Sequence, residues 1–120
     1  MEQRQIVEAL AALAQETRLN IFRLLVQTGP EGLPAGQIAE ALELPATTLS
    51  FHLNQLRQAG LIDFRRESRS LIYAAEYDAM NGLISYLTEN CCLGNVAACG
   101  PVAVNAPKTA MTRIRKRSSR

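Results

Sequence analysis

The chain has 120 residues, a length that allows one domain with a modest hydrophobic core. Its 48% of hydrophobic residues is ordinary for a soluble protein, and no apolar run approaches the roughly 18 residues that a membrane-spanning helix needs. The net charge of +2 excludes a strong overall positive field. The first residues lack the pattern of a signal peptide, so we expect a cytoplasmic protein with no membrane partner and reduced cysteines.

Helical periodicity dominates the first third of the chain. An apolar stripe predicts a first helix and consists of Ile6, Val7, Leu10 and Leu13. Residues 17–27 are apolar on nearly every side, which is typical of a helix at the centre of a domain. Glycine and proline indicate a loop over residues 28–34, and a short helix is predicted at 35–42.

A second short helix follows almost at once, so that the two form a helix-turn-helix. Pro45 marks its start, Gly60 marks its end, and the leucines between them face inward at helical spacing. Its outward residues are hydrogen-bonding and nearly free of acid, which suits base edges in the DNA major groove. The predicted DNA contacts on this helix are Thr47, Thr48, Ser50, His52, Asn54, Gln55 and Arg57. An ordinary solvated face is the alternative, and for His52 the alternative is packing within the protein or a phosphate contact.

The next segment, residues 61–74, predicts a β-hairpin. Its two flanks alternate and are rich in β-branched and aromatic residues, and its centre is polar. Arg65, Arg66 and Arg69 cluster near the tip. A hairpin with arginines at its tip, beside a recognition helix, is expected to contact DNA phosphates as a wing.

A last helix is predicted over residues 77–90, again with an apolar stripe. Two terminal stripes, one on the first helix and one on the last, suit a two-fold homodimer interface. The residues assigned to this interface are Ile6, Leu10, Leu13, Leu83, Ile84 and Leu87.

Two separated stretches carry a family resemblance. Residues 12–25, ALAQETRLNIFRLL, and residues 49–62, LSFHLNQLRQAGLI, resemble the ArsR/SmtB family of dimeric bacterial repressors, and the resemblance extends over residues 7–89. It implies a mainly α fold with a β-hairpin: a winged helix-turn-helix that dimerises through its first and last helices and binds double-stranded operator DNA. The protein is not expected to be an enzyme.

The chain beyond the last helix is assigned separately. Residues 1–90 are expected to form the DNA-binding and dimerisation domain, and residues 91–120 a cysteine-bearing loop with a basic tail. Six positive charges and no acid follow Glu89, which leaves the rest of the chain net negative. The tail either attracts DNA without sequence preference or is a solvated end.

All three cysteines lie within nine residues: Cys91, Cys92 and Cys99. Three thiols without a fourth ligand fit a structural zinc site poorly but suit a soft ion such as As(III) or Sb(III). The best-known arsenic sensors of the resembled family carry cysteines in the helix before the recognition helix, and residues 35–42 contain none. Other arsenic-responsive members place cysteines after the last helix, and these three resemble that arrangement.

The sequence therefore predicts a metalloid-responsive repressor that leaves its operator when As(III) or Sb(III) binds the three cysteines. One alternative is a thiol redox-sensing repressor of the same fold, and another is a metalloid-binding buffer without a regulatory role. A thiol-dependent enzyme is not expected, because no histidine or acid follows Glu89 to activate a cysteine.

Overall fold

The structure, a computed structural model, describes residues 1–94. One compact unit comprises Met1–Ile84, and a second begins at Ser85. The elements in chain order are α1 (Gln3–Leu13), α2 (Glu16–Thr28), β1 (Leu33–Pro34), α3 (Ala35–Leu42), α4 (Ala46–Gln58), β2 (Ile62–Glu67), β3 (Ser70–Ala75), α5 (Tyr77–Leu87) and a 3-10 turn (Cys91–Gly94). The predicted mainly α winged helix-turn-helix is confirmed. None of the helices within the described range has the length and apolar character needed to cross a membrane.

Helix α2 is the centre of the core, as its apolar composition predicts. It contacts α1, α3, α4 and β3, and Ile21 and Leu25 have no exposed surface. The Tyr77 hydroxyl donates a hydrogen bond to the carbonyl oxygen of Val26 at 2.9 Å, which fixes the start of α5 against the end of α2. The remaining elements are therefore positioned around one buried helix.

A left-handed residue forms the turn between α3 and α4. Glu43 has φ of +54°, and the Leu44 N–H donates to the carbonyl oxygen of Ala39 at 2.9 Å, which closes the end of α3. Pro45 then occupies the N-cap of α4, as predicted. This tight connection sets the angle at which the recognition helix leaves the core.

Helix α4 ends at a glycine in the left-handed conformation. Gly60 has φ of +80°, and the Leu61 N–H donates to the carbonyl oxygen of Leu56 at 3.1 Å. This 6→1 hydrogen bond belongs to a Schellman motif, which confirms the predicted helix stop. The chain then enters the hairpin directly, so the wing begins close to the end of the recognition helix.

The sheet has three strands in the order β1-β3-β2, all antiparallel. The hairpin β2–β3 is confirmed, with Glu67 opposite Ser70 at the tip. Strand β1 was not predicted, because it has two residues and includes Pro34 inside a segment that glycine and proline mark as a loop. Gly32 permits this pairing: a Cβ at that position would collide with the carbonyl oxygen of Tyr73.

Candidate nucleic-acid interface and thiol pair

The outer face of α4 is polar and open to solvent. Leu49, Leu53 and Leu56 are at most 2% exposed and attach the helix to the core. Six of the seven predicted contact residues on this helix lie outside the core, with Gln55 half-buried and the other five exposed; they are Thr47, Thr48, Ser50, Asn54, Gln55 and Arg57. The helix therefore presents short donors and acceptors around a buried apolar stripe.

His52 is the exception, and its predicted place on the outer face is wrong. Its side chain is buried, and its Nδ1 accepts a hydrogen bond from Nη1 of Arg18 at 3.3 Å. The Nε of Arg18 donates to the carbonyl oxygen of Ala12 at 2.7 Å, so this guanidinium joins α1, α2 and α4. Burial, with the positive charge of Arg18 as the smaller cause, lowers the pKa of His52 below 6.5. His52 is thus a packing residue that is neutral at pH 7.

Two of the four arginines predicted to contact DNA are held by the protein itself. The Nε of Arg65 lies 2.7 Å from Oε2 of Glu67, and its Nη2 donates to the carbonyl oxygen of Glu31 at 2.9 Å. The guanidinium of Arg57 lies 4.4 Å from the centre of the Phe64 ring. These contacts fix the wing to the loop before β1 and to α4, respectively, and they compete with any contact to phosphate.

The other two arginines remain exposed near the wing tip. Arg66 lies opposite Leu71 in the β2–β3 ladder, and Arg69 lies with Ser68 in the turn between the two strands. Among the described residues, no ion pair engages either side chain. They are the cations of the wing that are free to meet phosphate.

The predicted stripes on the terminal helices are partly buried and partly exposed in the single chain. Ile6 and Leu83 are 2% and 7% exposed within a single chain, and Leu13 is half-buried against the core, so much of the surface of these three residues is already covered by their own chain. Leu10 on α1 and Ile84 on α5, both of the assigned set, are exposed, and so is Val7 of the predicted stripe on α1. Leu87, also assigned to the interface, is exposed as well.

The N-terminal residue packs against the middle of α5. A Cβ at Gly82 would meet Sδ of Met1 at 2.8 Å, so the N-terminal methionine packs on α5 where this glycine leaves room. The exposed side chains of Val7, Leu10 and Ile84 all lie within the first compact unit. Exposed apolar side chains of this kind suit a self-complementary contact between two copies.

Two of the three cysteines lie in the described part of the chain. The Sγ atoms of Cys91 and Cys92 are 3.3 Å apart, although Cys92 is exposed and free and Cys91 is disulfide-bonded. A disulfide joining these two neighbours is excluded, because a bonded pair would be separated by about 2.05 Å. Asn90 and Cys92 both have positive φ, so the chain turns sharply after α5. Cys99 lies outside the described residues.

Comparison with known proteins agrees with this geometry. A helix-turn-helix domain model matches residues 13–63. The transcriptional regulator YgaV of Escherichia coli strain K12 is 32% identical over 88 residues, which cover 73% of this chain and 87% of YgaV. The transcriptional activator HlyU of Vibrio cholerae serotype O1 is 33% identical over 89 residues, which cover 74% and 80% of the two chains.

A solved structure supplies the family name. A homodimeric winged helix-turn-helix DNA-binding domain from Mycobacterium bovis, described as a possible ArsR-family transcriptional regulator, superposes with a TM-score of 0.59. It is 29% identical and covers 72% of this chain and 81% of its own. The chain belongs to the ArsR/SmtB family. It is accordingly a winged helix-turn-helix transcriptional regulator, as the two resembled stretches predict.

Within this ArsR/SmtB chain, metal-binding groups are sparse. Over residues 1–94, no three side chains of His, Cys, Asp or Glu lie close enough together to hold a metal ion. Helix α3, directly before the recognition helix, has the sequence AGQIAEAL and contains no cysteine. In the described part of the ArsR/SmtB chain, thiols are present only in the turn after α5.

One exposed residue of the recognition helix was not predicted. Phe51 is 58% exposed, and its ring meets the His52 ring edge-on with the centroids 5.3 Å apart. The signal was available, because position 51 is half a turn away from the leucine stripe at about 100° per residue. Its apolar character led to its omission from a set of residues chosen for hydrogen bonding.

Proposed function

We propose that the protein is a homodimeric repressor that binds a two-fold operator and is released when trivalent arsenic or antimony binds Cys91, Cys92 and Cys99. The observation that carries the choice of inducer is the 3.3 Å separation of the Cys91 and Cys92 sulfurs after α5. DNA binding, assembly and metalloid binding each have separate structural support.

Support for operator binding comes from α4 and the wing. The outer face of α4 carries Ser50 and Asn54 among other exposed hydrogen-bonding residues, and this face suits base edges in the major groove. Arg66 and Arg69 extend the contact to phosphates. The M. bovis relative is a homodimeric DNA-binding domain of this fold, which favours the same role here.

Support for the dimer comes from the exposed apolar residues of the terminal helices. Val7 is 55% exposed, and Leu10 and Ile84 are each 41% exposed. Contact with a second copy would remove them from water and gain about 25 cal/mol for each Å² of apolar surface buried. Two-fold pairing would also place two recognition helices on successive major grooves, which a palindromic operator requires.

Support for a metalloid site comes from sulfur geometry. Two sulfurs bound to one ion lie within about 4.6 Å of each other, twice a metal–thiolate bond of roughly 2.3 Å. The separation of Cys91 and Cys92 meets this condition. A soft trivalent ion prefers thiolates, and Cys99 would supply the third, with the Cys91 disulfide reduced as thiols are in the cytoplasm.

Release of DNA requires the ion to favour a dimer geometry that operator DNA does not accept. A coupling free energy of about 1–3 kcal/mol would weaken operator binding by roughly 5–150-fold. The cysteines follow the C-terminus of α5, where partial negative charge opposes thiolate formation. The ion must therefore displace the thiol protons, and the response should weaken at low pH.

The test is operator binding measured with and without arsenite under reducing conditions. Wild type should bind in the absence of arsenite and dissociate when it is added, whereas Cys91→Ser, Cys92→Ser and Cys99→Ser should bind equally well and respond weakly. Ser50→Ala should reduce operator affinity by about 1–3 kcal/mol, and Ser85→Ala, an exposed serine outside the recognition helix, should not. Undiminished operator binding at saturating arsenite would refute the proposed inducer.

The disulfide at Cys91 favours one second candidate, a redox-sensing repressor of the same fold. In that case two thiols lose two electrons and two protons to an oxidant such as hydrogen peroxide, and a disulfide forms. DNA release by peroxide in the absence of arsenite, reversed by a dithiol reductant, would favour this candidate. Release by arsenite alone, under full reduction, would favour the metalloid.

A further inference from the structure

We propose that Phe51 recognises the 5-methyl group of a thymine in each operator half-site. The proposal rests on the proposed DNA-binding function and adds a sequence preference to it. It assigns an apolar contact to a helix face whose other members form hydrogen bonds.

Phe51 lies at the centre of the outer face of α4. At about 100° per residue, the buried leucines Leu49, Leu53 and Leu56 define one side of this helix. Phe51 lies almost opposite the middle of that stripe, with Thr47 four residues before it and Asn54 three residues after it. These three neighbours share the centre of the outer face. A helix that enters the major groove with this face must bring Phe51 towards the bases.

The ring of Phe51 is supported from the side of the core. It contacts the His52 ring edge-on, with an interplanar angle of 66° and a centroid separation of 5.3 Å. His52 is itself buried and held by Arg18. The aromatic pair thus supports Phe51 while 58% of the side chain faces solvent. With two rotatable torsions, a supported Phe loses little conformational freedom on binding.

The chemistry of the major groove offers this ring one suitable partner. A single exposed apolar side chain is ordinary on a protein surface. Phe51, however, shares the exposed face of α4 with Thr47, Ser50 and Asn54, whose proposed roles require close contact with base edges. In the major groove, the bases present donors and acceptors, together with one apolar group, the methyl of thymine. A phenyl ring placed against a polar edge would desolvate it without a replacement hydrogen bond, so the methyl is the partner that this ring suits.

Deleting that methyl group alone gives a sharp test. An operator selected in vitro from a random duplex library is synthesised with each thymine replaced in turn by deoxyuridine, which keeps the base-pairing edge and lacks the methyl. Wild type should bind about fourfold more weakly when one critical thymine in a half-site is replaced. This factor corresponds to the roughly 0.8 kcal/mol that burial of one methyl group contributes. Replacement in both half-sites should weaken binding about fifteenfold.

Phe51→Ala is the matching protein change. The variant should fold as wild type does, because the side chain is largely exposed, and an unchanged thermal unfolding midpoint checks this. It should bind the thymine operator more weakly and should show no further reduction on the deoxyuridine operator. Ser50→Ala serves as a control on the same helix and should retain the full reduction caused by deoxyuridine.

The outcomes distinguish the role of Phe51 from DNA binding itself. Intact operator binding with no sensitivity to any thymine methyl would overturn the role of Phe51 and leave DNA binding standing. The same methyl sensitivity in Phe51→Ala as in wild type would also overturn it, as would unchanged operator affinity in this variant. Failure of wild type to select any DNA sequence would instead refute the proposed DNA-binding function.

Discussion

Arg66→Ala on the wing should lower the salt dependence of operator binding, whereas Arg65→Ala should leave it nearly unchanged. The two residues are adjacent in sequence and identical in charge. Arg65 is bound to Glu67 and to the carbonyl oxygen of Glu31, while no ion pair within residues 1–94 engages Arg66. A side chain that already has partners gains little from phosphate, so the two substitutions should differ in their effect on the salt dependence of operator binding.

The magnitude follows from counterion release. Each phosphate contact contributes about 0.9 to the slope of log K against log salt, so removing one phosphate-binding side chain from each subunit of a dimer lowers the slope by about 1.8. Between 50 and 200 mM salt, that change amounts to roughly tenfold in affinity. Arg65→Ala removes a half-exposed ion pair and a hydrogen bond, and we expect it to reduce the stability of the protein by at most about 1 kcal/mol.

Fluorescence anisotropy of a labelled operator over a series of salt concentrations measures the slope directly. Arg4→Ala is the charge-matched control, because Arg4 lies on α1, its side chain is 88% exposed, and its pairing with Glu8 is remote from the wing. Arg69→Ala should behave like Arg66→Ala. Equal slopes for Arg65→Ala and Arg66→Ala, both lower than wild type, would refute the division of the wing arginines into bound and free.

Two further predictions concern assembly and pH. Leu10→Asp should produce a monomer with weak operator affinity, whereas Leu19→Asp, which changes an equally exposed leucine on α2, should remain dimeric. Sedimentation of both variants measures their assembly. A dimeric Leu10→Asp would exclude the α1 surface from the dimer interface. Because burial depresses the pKa of His52, its contribution to stability is complete above pH 6.5 and is lost as the pH falls through the lower folded-state value. Urea unfolding at pH 7.5 and 5.5 should show a larger loss of stability for wild type than for His52→Gln, and equal losses would contradict the lowered pKa of the buried His52.

The elements of the fold could be predicted well from the sequence because their signals are local. The leucine spacing of α4, Pro45 at its start and Gly60 at its end lie within one helix and its caps. The same spacing also placed His52 on the buried side, since it lies three residues after Leu49. Its polar character outweighed this position in the prediction, and the apolar character of Phe51 kept that residue out of the predicted DNA contacts.

The contacts found at the wing and on the terminal helices could not be predicted, for a different reason. The contact between Arg65 and the Glu31 carbonyl joins residues 34 positions apart, and a local pattern carries no information about it. An apolar stripe likewise does not specify whether each of its residues faces its own core or a second copy. Tertiary packing decides this, and it buries Ile6 and Leu83 within one chain while Val7 and Leu10 stay exposed.

The thiol site is predicted by residue type and spacing, and its third member lies outside the described residues. The separation of the Cys91 and Cys92 sulfurs supports a shared ion, yet it constrains two ligands of the proposed three. The number of sulfur ligands therefore distinguishes the complete site from a two-thiol site.

X-ray absorption at the arsenic edge tests the central claim most directly, because it counts the atoms bound to arsenic. The fully reduced protein, loaded with one equivalent of arsenite per chain, should show three sulfur neighbours and no oxygen neighbour. Cys99→Ser should show two sulfurs and should no longer release operator DNA at the same arsenite concentration. A wild-type spectrum with oxygen neighbours alone, or a full release of operator DNA by Cys99→Ser, would contradict the three-thiol inducer site.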